Sequence, residues 1–177
     1  GDLWLDAACG EGQLGELLGK GKRFLGLDMD WERLGRARRR PYVALIRGSV
    51  ESLPLPRGSL SGIASVETLE HVADLDAALK EFARCLRRRG YLLLTIPSVT
   101  LRSLWEMRVT RQPVYCDPKE HVREFSAVAV RGFPHMFETW RSLEARVQRH
   151  GFTVVRGGGV GFLLPVWRGR WAWIEHA

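Results

Sequence analysis

The chain has 177 residues, of which 45% are hydrophobic, and it carries a formal net charge of +7 at neutral pH. This length is typical of one domain with one substantial core, so we expect residues 1–177 to form a single domain. No apolar run approaches the roughly 20 residues that span a membrane, and no secretory signal is visible. The three cysteines, Cys9, Cys85 and Cys116, lack metal-ligand or disulfide spacing, which favours a reducing, cytoplasmic location.

The positive charge comes mostly from arginine. Such a balance is compatible with RNA or an anionic lipid surface as a partner. The runs Arg36–Arg40 and Arg87–Arg89 both fall near the end of a predicted helix. Cations stabilise the helix dipole there without any partner, so we treat these runs as a solvated surface and keep RNA as an alternative.

The most informative stretch is the beginning of the chain. Leu3–Leu5 is a short apolar run closed by Asp6, and the glycine-rich turn 10–15 (G-E-G-Q-L-G) and a predicted helix follow. In a strand–turn–helix unit of this kind, backbone N–H groups face a ligand. The G-x-G-x-x-G spacing is compatible with a dinucleotide oxidoreductase. However, Asp6 would repel a pyrophosphate and suits a ligand with a cationic end.

Strand and helix signals alternate along the rest of the chain. Further strands are predicted at Arg23–Asp28, Tyr42–Ile46, Leu60–Val66 and Tyr91–Ile96. Helices are predicted after Asp30 and Asp74, which are suitable caps, with Gly90 ending the second. The last elements are a helix at Met136–His150, a strand ending at Val155, a glycine link at 157–159 and a final strand at Phe162–Trp167. This alternation predicts a parallel sheet covered on both faces.

Four stretches together resemble the class I S-adenosylmethionine (SAM)-dependent methyltransferases, over nearly the whole chain. Residues 5–12 (L-D-A-A-C-G-E-G) resemble this family's first motif, and residues 28–30 (D-M-D) resemble its D-x-S/D step. Residues 48–55 (G-S-V-E-S-L-P-L) resemble G-D-A-x-x-L-P-F. Residues 66–72 (V-E-T-L-E-H-V) resemble the E-x-L-E-H-V stretch of small-molecule methyltransferases, including those of ubiquinone biosynthesis. The resemblance implies an α/β fold with a doubly wound, mostly parallel, seven-stranded Rossmann-like sheet and an antiparallel last strand.

The resemblance also implies a site for SAM, or its product S-adenosylhomocysteine (SAH), at the carboxyl ends of the strands. The methionine part of SAM would face the first turn, at Asp6, Ala7, Ala8, Cys9, Gly10 and Gly12. An acid ending the second strand accepts hydrogen bonds from ribose hydroxyls, a role that falls to Asp28 beside Met29. Adenine would lie against Ser49, which replaces the family's usual aspartate, and Val50. The sulfonium would lie near Glu67.

The E-T-L-E-H-V stretch also supplies candidates for catalysis. His71 is the best candidate for a general base, because an imidazole titrates near neutrality, and Glu70 lies next to it in the sequence. Glu67, Glu70, His71 and the distant His121 also resemble the metal site of small-RNA 2′-O-methyltransferases, which would hold Mg²⁺ or Mn²⁺. The simpler interpretations are a pocket-shaping loop histidine and solvated glutamates.

The sequence therefore predicts a SAM-dependent methyltransferase (EC 2.1.1.-) acting on a small molecule, with O-methylation favoured over N- or C-methylation. Three alternatives remain: an RNA methyltransferase, a non-catalytic SAM-binding module, which the serines at positions 49 and 61 motivate, and a nucleotide oxidoreductase. We expect the acceptor side of the site in the segment 98–150. Because the first strand begins at once, we also expect that the family's N-terminal cap helices are lacking. The sequence does not predict the oligomeric state.

Overall fold

The computed structural model describes residues 2–18, 21–97, 140–161 and 168–176. Within these ranges, strands β1 to β7 span Leu3–Ala7, Arg23–Asp28, Tyr42–Arg47, Leu60–Val66, Leu86–Pro97, Phe152–Gly161 and Arg168–His176. Helices α1 to α4 span Gln13–Leu18, Trp31–Ala37, Leu75–Cys85 and Trp140–Arg149, and a short 3-10 helix spans Leu69–His71. Each described helix is too short or too polar to cross a lipid bilayer.

All seven described strands belong to one sheet with the order β3-β2-β1-β4-β5-β7-β6. Strands β1 to β5 pair in parallel, and β7 runs antiparallel between β5 and β6. This arrangement confirms the predicted doubly wound, mostly parallel sheet with an antiparallel last strand. The chain order reverses between β1 and β4, so the fold leaves a crevice outside the carboxyl ends of these two strands.

Two predicted helix caps are confirmed. The Asp30 carboxylate accepts hydrogen bonds from the backbone N–H groups of Glu32 (2.8 Å) and Arg33 (3.3 Å) at the start of α2. At the start of α3, the Asp74 carboxylate accepts one from the Ala77 N–H at 3.0 Å. These bonds satisfy amides that have no partner within their helices, and so they fix where each helix begins.

The main core lies between one face of the sheet and helices α3 and α4. Leu5 of β1 pairs in register with Leu25 and Ile63 on the neighbouring strands, so these side chains share a face. Phe82 of α3 and Val147 of α4 belong to the same buried cluster. Burial of this kind contributes about 25 cal/mol per Å² of apolar surface. The core therefore holds the strands, and the loops at their carboxyl ends, in a fixed relation.

The predicted end of α3 at Gly90 is wrong. The helix ends at Cys85, and Leu86 already pairs with Leu60 as the first residue of β5. The register between β4 and β5 then shifts before Tyr91. The three arginines before Gly90 therefore belong to a strand and not, as the sequence suggested, to a helix end.

The glycines at 157–159 do not form the predicted link. They continue β6, and each pairs with a residue of β7. The last described strand, β7, begins at Arg168, whereas the final strand predicted at 162–167 lies outside the described residues. The same holds for residues 98–139, and so for most of the predicted acceptor-side segment.

Candidate active site

The turn after β1 is held in a conformation that favours glycine. The backbone angle φ is +61° at Ala8, +54° at Gly10 and +86° at Gly12. The Cys9 N–H donates to the Leu27 carbonyl of β2 at 2.8 Å. Ala8 is strained by its positive φ. A Cβ at Gly10 would meet no atom of the described residues within 4 Å, so among these residues the space beside this glycine is open to a ligand.

Asp28 joins this turn to the end of β2. One carboxylate oxygen accepts a hydrogen bond from the Gly10 N–H at 2.8 Å, and the other accepts one from the Asp30 N–H at 2.8 Å. Each oxygen keeps acceptor capacity beyond these bonds. The neighbouring Met29, just after the end of β2, is 50% exposed. The predicted ribose residue therefore touches the predicted methionine turn.

The loop after β3 brings Ser49 and Val50 to the same edge of the sheet. The Gly48 N–H donates to the Asp28 carbonyl at 3.1 Å. The Ser49 hydroxyl oxygen accepts the Glu51 N–H at 3.1 Å, and the Glu51 carboxylate accepts the Asp74 N–H at 2.6 Å. Val50 is buried. The loop is thus fixed to both β2 and the start of α3.

Two carboxyl groups meet at the end of β4. Glu67 has a φ of +49°, its N–H donates to the Thr95 hydroxyl oxygen at 3.0 Å, and its Oε1 accepts from the same hydroxyl at 3.0 Å. Glu70 lies in the short 3-10 helix with only 4% of its surface exposed. Its Oε1 is 3.7 Å from His71 Nε2, and its buried Oε2 has no hydrogen-bond partner among the described residues.

Burial dominates the protonation of this pair. Burial, together with a smaller contribution from the negative charge of Glu67, raises the pKa of Glu70 to about 8. Burial also raises the pKa of Glu67, which the hydrogen bond from Thr95 opposes. Glu70 is therefore mainly protonated at neutral pH.

The described residues do not assemble a metal site. No group of three or more His, Cys, Asp or Glu side chains in this part of the chain is arranged to hold a metal ion. Glu67, Glu70 and His71 therefore do not form such a site by themselves. His121, the fourth predicted ligand, lies outside the described residues.

Asp6 is placed differently from what its role in a ligand-facing turn suggested. Only 2% of its surface is exposed, and its Oδ2 accepts a hydrogen bond from the Tyr42 hydroxyl at 2.6 Å. Burial raises the pKa of Asp6 to about 6, which the hydrogen bond from Tyr42 opposes. The sequence analysis missed Tyr42, because only the register of β3 beside β2 brings it under the turn, and no local motif signals that register.

Four carboxyl groups thus gather at the carboxyl edge of the sheet, on the ends of β1, β2 and β4 and just beyond: Asp6, Asp28, Glu67 and Glu70. Burial is the main cause of the raised pKa values of Asp6 and Glu70, and the charges of Asp28 and Glu67 raise them as well. An edge rich in carboxyl groups attracts a cationic ligand and disfavours a diphosphate.

Comparison with known proteins shows the family of this chain. A family model described as a methyltransferase domain matches residues 5–94. A probable SAM-dependent methyltransferase of Mycolicibacterium smegmatis is 32% identical over 127 residues, which are 70% of this chain and 46% of that protein. A malonyl-[acyl-carrier protein] O-methyltransferase of Yersinia pestis is 34% identical over 129 residues, which are 71% of this chain and 46% of that protein. The chain spans about half the length of these two relatives.

The fold is shared with solved structures. A SAM-dependent methyltransferase of Methanosarcina mazei superposes with a TM-score of 0.74 at 20% identity. The superposition covers 99% of this chain and 92% of that protein. At this identity the likeness shows the fold alone.

Proposed function

Because the chain belongs to the class I SAM-dependent methyltransferase family, we propose that it transfers the methyl group of SAM to a small-molecule acceptor. The observation that carries the proposal is the contact between Asp28 and the N–H of Gly10, beside open space at that glycine. When bound, SAM supplies a methyl group on a positively charged sulfonium. The acidic edge suits that charge.

The roles of the individual residues follow from their places at this edge. Asp28 would accept hydrogen bonds from the ribose hydroxyls with the acceptor capacity that its two backbone bonds leave free. The exposed Met29 would pack on the adenine, which Ser49 and Val50 border on the other side. Gly10 allows the backbone of the turn to approach the ligand closely. Asp6 would act from below the turn and not by direct contact.

Glu67 and Glu70 lie where the reacting groups would meet, beyond the crevice between β1 and β4. A protonated Glu70 can donate a hydrogen bond, and the Glu67 carboxylate can accept one. His71 has about a third of its side chain exposed, so its imidazole can reach a proton of an acceptor. In this proposal His71 removes that proton when the acceptor is a hydroxyl.

The names of relatives support a class of acceptor. The protein of Yersinia pestis is named for O-methylation of an acyl group on a carrier protein. We therefore favour an oxygen acceptor on a small acyl compound over RNA. The arginine-rich surface does not distinguish the two, because exposed arginines also form ion pairs within the chain, such as Arg36 with Glu11.

The extent of the domain is part of the proposal. The sheet uses strands from both ends of the chain, from Leu3 in β1 to His176 in β7. This supports a single domain over residues 1–177. Within it, the segment 98–150 follows β5, includes the last helix, and would supply the acceptor side of the site.

Asp28→Asn tests the cofactor site. Asparagine keeps the size of the side chain but loses the charge and one acceptor, so we expect SAH to bind about tenfold to a hundredfold more weakly. The measurement is calorimetric titration of purified protein with SAH, with NADH as the comparison ligand. Asp2→Asn, at an exposed ion pair with Arg87, is the matched control and should bind as the wild type does. Binding of NADH, or of neither ligand, by the wild type would refute the proposed function.

A further inference from the structure

Two of the three glycines in the turn 10–15 do not face a ligand. A Cβ at Gly12 would lie 2.8 Å from Cε2 of the Tyr42 ring, and a Cβ at Gly15 would lie 2.6 Å from the Tyr42 hydroxyl oxygen and 2.7 Å from Cε1. These separations are shorter than any that a real side chain tolerates. Positions 12 and 15 therefore need glycine, because the Tyr42 ring fills the space that a Cβ would occupy.

The neighbouring strand makes room for the same ring. A Cβ at Gly26 of β2 would lie 3.2 Å from Cδ1 of Tyr42. Gly26 pairs with Asp6 in the register of β1 and β2. The ring thus lies over β2 and under the first turn of α1, and its hydroxyl reaches the Asp6 carboxylate at 2.6 Å. Three glycines and one buried acid surround a single side chain.

Gly10 differs from the other two glycines of the turn. Its position has open space on the side where a Cβ would project, whereas Gly12 and Gly15 press on Tyr42. The turn therefore has an open side at Gly10 and a supported side at Gly12 and Gly15. Because Gly10 and Gly12 are two residues apart in the same turn, a shift of the supported side would also displace the Gly10 N–H and its hydrogen bond to Asp28.

The geometry points to Tyr42 as a positioning residue for the cofactor. Its ring sets the height of the turn above β2, and its hydroxyl fixes the buried Asp6 at the end of β1. It would act on SAM through Gly10 and Asp28 without touching it. This inference rests on the proposed function, since it assumes that SAM lies over Gly10.

Arg40 strengthens the same support from outside. A Cβ at Gly12 would lie 2.7 Å from Arg40 Cγ, and the Arg40 guanidinium forms an ion pair with Glu16 of α1. Tyr42 is the first residue of β3, and Arg40 lies two positions before it in the chain. The start of β3 therefore holds the turn both by packing and by charge.

Tyr42→Phe removes the hydroxyl and keeps the ring. We expect SAH to bind about tenfold more weakly, the loss typical of one buried hydrogen bond. The pKa of Asp6, followed by carboxyl NMR, should rise, because the tyrosine hydrogen bond lowers it in the wild type. Tyr91→Phe is the matched control, since Tyr91 is half-exposed on β5, and it should change neither quantity.

Gly15→Ala tests the packing, with a second variant to show its cause. Alanine is otherwise the better helix former, but its methyl group would collide with Tyr42, so we expect weaker SAH binding. In a Tyr42→Ala background the collision is gone. The double variant should then bind SAH no more weakly than Tyr42→Ala alone.

The outcomes separate this inference from the proposed function. If the wild type binds no SAH, both fail. If the wild type binds SAH and Tyr42→Phe binds it equally well with an unchanged Asp6 titration, only the role of Tyr42 fails. An equal penalty of Gly15→Ala in both backgrounds would also refute it. If Tyr42→Phe does not fold, Asp6→Asn changes the partner of the same hydrogen bond, and an SAH affinity equal to that of the wild type would refute the role.

Discussion

Glu70 is the residue whose environment departs most from that of a free carboxyl group. Burial raises its pKa to about 8, so the folded state prefers the protonated form. An acid whose pKa is higher in the folded than in the unfolded state stabilises the fold less as pH rises. The loss begins near the ordinary pKa of 4.5 and is complete above about 8.

Glu70→Gln should remove this pH dependence. Glutamine has the same shape and no charge, so we expect the variant to gain stability relative to the wild type between pH 5 and pH 8, by on the order of 3 kcal/mol at the upper end. Chemical denaturation at pH 5, 6.5 and 8 measures the difference. A constant difference across this range would contradict the raised pKa.

Glu81→Gln is a control for which the pH dependence of stability has the opposite sign. The hydrogen bond from Arg84 lowers the pKa of Glu81, so its stabilising contribution is present above the ordinary pKa of 4.5 and lost in acid. Its carboxylate also accepts the Leu53 N–H at 2.7 Å. The variant should therefore lose stability near neutrality and approach the wild type at low pH.

The role of a residue could be predicted from the sequence where that residue belongs to a local motif. Asp28 lies at a strand end 18 residues after Gly10, and the structure joins the two directly. Asp6 was expected to face the ligand, but it is buried beneath the turn, because a strand residue points to the face that its register dictates. Its partner, Tyr42, comes from β3 and could not be found from spacing in the sequence.

Helix α3 begins where a side chain caps it. Asp74→Ala removes the bond to the Ala77 N–H, and we expect a loss of about 1 kcal/mol in the free energy of unfolding. Thermal and denaturant unfolding measure it. Asp2→Ala, at an exposed ion pair, should change stability little, and an equal loss there would show that the effect is not capping.

Where the apolar pattern is strong, the predicted bounds of an element match those in the structure, as for β2 and β4. The errors fall where the local signal conflicts with tertiary pairing. The arginines 87–89 were predicted to end a helix, but Leu86 and Tyr91 on either side of them pair with β4, so they lie within β5. The glycines of β6 were predicted to form a link between two strands, but pairing with β7 holds them in a strand.

At the scale of the whole molecule, the strand order of the sheet brings the acidic side chains to one edge. Parallel strands β1, β2 and β4 end at one edge, and the reversal of order between β1 and β4 opens a crevice there. The order of strands was predictable from the family resemblance, whereas the raised pKa of Glu70 depends on its burial, which no motif encodes. The acidic edge is thus a property of the fold and not of one sequence stretch.

The central claim is that this edge holds the cationic cofactor SAM over Gly10. The most direct measurement is a crystal structure of the protein with SAH. We predict a ribose whose hydroxyls contact Asp28, an adenine beside Met29 and Val50, and an amino-acid end over the turn 8–12. SAH bound elsewhere, with Asp28 contacting no sugar, would contradict the account.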